Sequence, residues 1–325
     1  MKRYFSVLTM ICVFALAGIA GAVAQEANPA TDFTYDLNGD GEGVVIQKYK
    51  GKATAVVIPA VIEDFPVVEV DSVVFKKTNI VSIILPDSIR WIGDSCFEGC
   101  TSLQKVILPK NLKALSRDLF YGCTALKTIT LSNSIEKIYS GAFSSSGLES
   151  ITIPDNVKQI VGSSYNSGAF GSCKNLRTVT IGNGTEAIGE ATFANCENLK
   201  TVNIGNGTEV IESRAFSGCT NLTTVTIGNG TKVIGGSAFS GCTNLTTVTI
   251  GSGIRSIRDY AFQNCSSLTT VNIGVEKLEE GSYISVLEDD YYDVAGYGYN
   301  VFSGCSSLSL KDKKKLKDTG YTGEF

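Results

Sequence analysis

The chain of 325 residues has no histidine, six prolines, two methionines and a single tryptophan. The missing histidine has the widest consequence. It removes the commonest general base, the usual catalytic triads and the commonest zinc ligand together. Basic residues are few: 28 Lys and Arg stand against 32 Asp and Glu, a formal net charge of -4. No basic stripe of the kind nucleic-acid binding requires is present, so a nucleic-acid partner is not expected. Each Gly-x-Gly follows a strand pattern and opens a turn, and none precedes a long helix. No acidic pair is held on a rigid element at a hydrolase spacing. Neither catalysis nor a cofactor or metal is expected.

Long apolar runs are limited to one. Lys2 and Arg3 precede a mostly apolar stretch from Phe5 to Ala20, and Ala22-Val23-Ala24 fits a small-residue cleavage site. Residues 1–24 are therefore expected to be a signal peptide, with Gln25 opening the mature chain. Cys12 follows Ile11 without the small residue of a lipoprotein site. Removing Lys2 and Arg3 with the leader takes the net charge from -4 to -6. The product is expected to be exported to the cell surface, the periplasm or the outside, with no integral membrane segment once the leader is cleaved.

What the sequence has in abundance is itself. Ser217-Gly218-Cys219-Thr220-Asn221-Leu222-Thr223-Thr224-Val225-Thr226-Ile227-Gly228 returns 23 residues later as Ser240 to Gly251. Phe75, Phe97, Phe120, Phe143, Phe170, Phe193, Phe216, Phe239, Phe262 and Phe302 each open a unit, and six of their nine spacings are 23. Such a fixed period means a stacked repeat protein. Each full unit reads Phe-x-x-Cys-x-x-Leu-x-x-Val-x-Ile. The closing alternation predicts a short strand with Val and Ile inward, after one tight helical turn at the Phe. Strand endings from Ile58 to Ile273, with Leu131 among them, predict about ten rungs. At about 4.8 Å per rung the sheet would be on the order of 45 Å long.

The Leu-x-x-Val-x-Ile spacing with Ala-Phe-x-x-Cys resembles the 23-residue leucine-rich repeat of BspA-like and treponemal surface proteins. The resemblance covers roughly Thr54 to Leu310. It implies a curved solenoid of short parallel strands at a bacterial surface or outside the cell, acting in attachment or protein binding. It carries no catalytic residues over. The expected division is a leader at 1–24, a β-hairpin cap at 25–53, the solenoid at 54–310 and a C-terminal cap at 311–325.

In the cap, Asn38-Gly39-Asp40-Gly41 predicts a hairpin turn. Asp36-x-Asn38-x-Asp40-Gly41 also begins like a calcium loop, but Gln47 stands where that loop needs Glu, and the turn is the expected reading. The nine mature cysteines, eight of them in the Phe+3 column, are expected to be buried thiols and not disulfides. Thr78 and Ser146 replace the Cys in two units whose turns are one residue short, which suggests an inward notch filled by Cys. Trp91 is expected to be partly buried where Val210 and Val233 stand in later units. About five extra residues around Gly162–Asn166 predict a bulge.

Two features are candidate binding sites. The first is a Thr-x-Thr strip: Thr178 with Thr180, Thr224 with Thr226 and Thr247 with Thr249, continued by Thr201 with Asn203 and Thr270 with Asn272. It predicts a shallow hydroxyl-lined face for a protein or, second, a glycan. An ice-facing ladder is the lesser alternative, since Asn interrupts it. The second is an insertion of 17 residues within 276–300, rich in acids and carrying Tyr283, Tyr291, Tyr292, Tyr297 and Tyr299. Long loops in repeat arrays are uncommon unless functional or disordered, and Tyr offers large contact area at modest entropy cost. A non-catalytic spacer in an envelope or matrix is the structural alternative to a binding protein.

Overall fold

The computed structural model describes residues 26–163, 168–278 and 296–325, and the backbone of Tyr283–Ser285 and Tyr292–Val294. The expected leader, Tyr291 and residues 164–166 of the expected bulge lie outside the described residues.

The chain is a leucine-rich-repeat solenoid of about ten turns. Each unit lays down a front strand, here Thr224–Ile227, whose β-branched residues alternate between core and surface. Val225 and Ile227 are buried while Thr224 and Thr226 are exposed. A second strand of two residues, here Val233–Ile234, runs on the return side. Neighbouring units pair in parallel with side chains of the same type in register: Val225 opposite Val248, Ile234 opposite Ile257. The return ladder is an eight-stranded sheet from Ala114–Leu115 to Gly296–Tyr297.

The third side of the coil is the Phe turn. It is built of i→i+3 bonds such as Cys242 N to Phe239 O, 3.3 Å, like one turn of 3-10 helix. Left-handed residues at both ends, Ser237 (φ 55°) and Gly241 (φ 73°), stop it from continuing as a helix. The ten Phe rings stack in an unbroken column with neighbouring centroids 5.0–5.5 Å apart. Tyr49 covers the first ring at 5.2 Å, and Tyr321 meets the last edge-on at 5.2 Å and 90°.

All nine cysteines of the described residues are free and buried. In the Phe+3 column each Sγ lies 2.9–3.3 Å from the carbonyl oxygen of the preceding unit's Phe and donates to it. The sulfur therefore ties rung to rung, which explains the notch the spacing implies. Glycine in the turn after the front strand has a steric cause. A Cβ on Gly230 would stand 1.8 Å from the backbone oxygen of Asn206 in the rung before. The Asn of each Asn-Gly pair bonds along the stack as well: Asn206 Oδ1 accepts from Asn229 N at 3.0 Å.

Two expectations need correction. The front sheet is not one ladder of ten strands, because Thr128–Leu131 pairs with neither neighbour and divides it into sheets of three and six. The following unit has the short turn, so Leu148 reaches the core one residue early. Glu149 N still donates to Lys127 O at 3.0 Å, but pairing does not propagate beyond that bond. A cleft of about 410 Å³ opens there, lined by Thr128, Thr130, Ser150 and Thr152 among others. The return ladder and the Phe column pass this point without a break. The second correction is Trp91, which is 42% exposed where Val210 and Val233 are 1% exposed. The return ladder is interrupted between Trp91–Ile92 and Ala114–Leu115, and Ala114 is too small to cover an indole.

Both ends of the stack are closed. Phe33–Leu37 and Val44–Tyr49 form an antiparallel hairpin that continues in parallel onto Phe65–Val70. Its turn uses its own oxygens: Asn38 Oδ1 accepts from Gly43 N and Asp40 Oδ1 from Glu42 N, both at 2.9 Å. At the far end, helix α1 spans Leu310–Asp318, is capped by Ser309 and buries Leu316. Covering exposed sheet edges in this way blocks edge-to-edge pairing.

Candidate binding face

Six front strands, from Ser150–Ile153 to Thr270–Ile273, carry two outward columns in strict register. One runs Ser150, Thr178, Thr201, Thr224, Thr247, Thr270. The other runs Thr152, Thr180, Asn203, Thr226, Thr249, Asn272. None of these side chains carries charge. The second column is exposed throughout, while Thr247 and Thr270 in the first are half-buried.

The hydroxyls of Thr178, Thr180, Thr224, Thr226, Thr247 and Thr249 make no hydrogen bond to any described residue. One position earlier the situation reverses. Thr223, Thr246 and Thr269 each turn Oγ1 back to the carbonyl of the previous rung, at 3.1, 3.0 and 3.1 Å. Buried Thr185, Thr208 and Thr231 do the same at 2.8–2.9 Å. Threonine thus has two roles here, bracing the ladder and presenting free hydroxyls, and the front columns hold the free ones. Charges gather on the turns, where neighbouring rungs pair them, as in Lys127–Glu149 at 3.1 Å and Lys174–Glu197 at 3.3 Å.

The insertion leaves the last front strand directly. Tyr283–Ser285 and Tyr292–Val294 pair as an antiparallel hairpin, with Tyr283 opposite Val294 and Ser285 opposite Tyr292. This hairpin is separate from the other sheets. Tyr297 belongs to the solenoid itself, in the strand that pairs with Ser256–Ile257. Its hydroxyl lies 2.8 Å from Thr319 Oγ1, and burial pushes its pKa up to about 12. Tyr299 is 65% exposed and meets Tyr260 edge-on at 5.7 Å. The structure thus separates Tyr297, which is committed to packing, from Tyr299, which is open to solvent.

Ser150 and Thr152 extend the columns by one strand, and the sequence pattern gave them no weight because Ser breaks the Thr-x-Thr repetition. Thr128 and Thr130 carry that motif in the first half of the chain, on the unpaired rung beside the cleft. No group of His, Cys, Asp and Glu that could hold a metal ion is found among the described residues. No described helix is long and apolar enough to cross a membrane.

The BspA type leucine rich repeat region matches residues 68–167 and 163–286, in six copies. The chain belongs to this family. As a BspA-type repeat protein it is a scaffold whose units serve stacking. Comparison with curated proteins gives no match. Among solved structures, a leucine-rich repeat protein from Bacteroides ovatus ATCC 8483 is 24% identical, with a TM-score of 0.57 over 85% of this chain and 80% of that one. One from Eubacterium ventriosum ATCC 27560 is 19% identical, with a TM-score of 0.50 over 80% and 78%. These likenesses concern the fold.

Proposed function

We propose that this BspA-type protein is exported to the cell surface or beyond and binds another macromolecule, first of all a protein on a host or neighbouring bacterial cell. The observation that supports this most is the pair of uncharged columns whose hydroxyls have no internal partner. A bracing role would leave them bonded, as Thr223 and Thr246 are.

Size indicates how the face would be used. Six strands spaced about 4.8 Å and four residues long give a flat area of about 300 Å². A stable protein interface takes about 800 Å² from each partner. The columns alone fall short, so the partner would also touch the tyrosine-bearing insertion that leaves the last strand. Tyr283, Tyr291, Tyr292 and Tyr299 would supply amphipathic contact area beside the polar face formed by Thr178, Thr180, Thr224, Thr226, Thr247 and Thr249. Tyr297 would position that segment. A glycan is the alternative ligand for the hydroxyls.

The second reading is a rigid spacer in an envelope or matrix, and the unbroken Phe column favours it. The test replaces residues 279–295 with a short Gly/Ser linker and keeps Gly296–Tyr297, which the return ladder needs. Both forms would be offered immobilised matrix proteins, glycans and cell-surface extracts. Binding lost with the insertion supports the composite site. Equal binding by both forms assigns it to the Thr face alone, and two folded forms that bind nothing support the spacer.

A further inference from the structure

The first turns of the coil hold a cavity of about 460 Å³ that the front face does not use. Pro66 and Val68 form its apolar side, Arg90 and Lys113 its basic side, and Ser88 and Asn111 bring in a hydroxyl and an amide. Asp87 at the same site is already neutralised, with Lys110 Nζ 2.9 Å from its Oδ2.

The position of Arg90 recurs along the stack as Lys113, Glu136, Lys158, Glu186, Glu209 and Lys232. There the charges cancel between rungs: Lys113 with Glu136 at 2.5 Å, Lys158 with Glu186 at 3.4 Å, Lys232 with Glu209 at 2.8 Å. Arg90 heads the column. Before it stands Val68, whose carbonyl accepts from Arg90 N at 2.8 Å, and after it another cation. The Arg90 guanidinium has no ion pair and no side-chain hydrogen bond among the described residues. A second, independent observation is Ser88. Its Oγ has no hydrogen-bond partner, alone among the buried side-chain nitrogen and oxygen atoms of the described residues. Buried hydroxyls are ordinarily satisfied, so an orphan in a cavity wall marks a place for a ligand group.

We propose that this cavity is a subsite for an acidic sugar, a pyranose ring bearing a carboxylate. The planar fork of Arg90 matches a carboxylate bidentately, while Lys113 beside it is already paired with Glu136. With its side chain turned towards the cavity, Ser88 Oγ answers a ring hydroxyl, as does Asn111, whose amide makes only a 3.4 Å bond to Asp87 O. Pro66 and Val68 take the C–H face of the ring. The local backbone favours a sugar over a peptide. Arg90 N, Gly93 N and Ile89 N are already bonded to Val68, Val70 and Pro86, which leaves side chains to do the recognition. The subsite is independent of the proposed front-face partner.

The test has a built-in reporter. Trp91 follows Arg90 in the chain, is exposed and is the only tryptophan. The full chain is titrated with glucuronate at constant ionic strength while its emission and the heat of binding are followed. A saturable response is expected, absent with glucose and with acetate. Arg90→Gln should weaken it by about tenfold or more, and Arg90→Lys by less, because it keeps the charge and loses the fork. The thermal midpoints of both variants should stay at the parent value, since Arg90 is exposed and unpaired. No response in emission or heat overturns the proposal. So does a response that Arg90→Gln retains or that acetate reproduces. Tighter binding of a short peptide through its free C-terminal carboxylate overturns it in favour of a peptide site.

Discussion

The Sγ of Cys242 donates a hydrogen bond to the carbonyl oxygen of Phe216, 3.3 Å away in the preceding unit. That oxygen also accepts from Cys219 N at 3.3 Å, so the thiol adds a tie between rungs to a turn already closed. Cys242→Ala removes the tie and leaves a small void. It is expected to lower stability by about 1–2 kcal/mol. An unchanged urea midpoint would show that the column only fills space.

The same burial makes the fold sensitive to alkali. It pushes the Cys219 thiol up to about 12 from an ordinary 9.0, and the Cys242 thiol in the same direction. A thiol that ionises less readily when folded contributes its full stabilisation below the unfolded value and loses it as pH rises through the folded one. The contribution of Cys219 should therefore be constant up to about pH 9 and decline between pH 9 and about 12. Urea midpoints measured across this range should fall less steeply for Cys219→Ala than for the parent protein. Parallel curves would refute the assignment.

Gly230→Ala should be among the most damaging single-methyl changes in the molecule. Its Cβ would stand 1.8 Å from Asn206 O, and the stacked rung cannot yield without shifting its neighbours. A cost of about 3 kcal/mol is expected from overpacking of this kind. Gly39→Ala is the control, because a Cβ there meets nothing within 4 Å. Thermal midpoints of the two variants should differ by several degrees.

Thr226→Lys combined with Thr249→Lys places two ammonium groups on the uncharged face. Both positions are exposed, in register and without internal bonds, so stability should change by no more than about 0.5 kcal/mol. Binding of any partner seated on the columns should drop by more than tenfold, since each added charge must be desolvated on docking. Full retention of binding would remove the columns from the site.

The fold was legible because its rule is repeated: Phe, Cys, Leu, Val and Ile recur at fixed offsets, and those columns are buried apart from the half-buried Val106, Ile129 and Ile273. Less legible was anything set by a single rung. Thr128-Ile129-Thr130 has the strand alternation, yet it pairs with neither neighbour, whereas Ser82–Ile84 in the other short-turn unit pairs on both sides. Trp91 has the column address of a buried Val, but no rule of period conveys that its neighbour is Ala114. The Thr strip was visible as a pattern. Which threonines are free could not be read from that pattern, since Thr223 and Thr224 are adjacent and identical in type while only the first is bonded. The Tyr-rich insertion gave composition without position, so Tyr297 and Tyr299 looked alike.

The Phe column has one further consequence. Every joint from Phe193 to Phe262 has nearly the same geometry, with ring separations of 5.1–5.2 Å. Termination resides in Tyr49 and Tyr321, outside the joints. A gene duplication or deletion of one whole unit would therefore create no interface that the molecule does not already contain. Its length can drift between lineages in steps of about 4.8 Å, while the two ends stay the same.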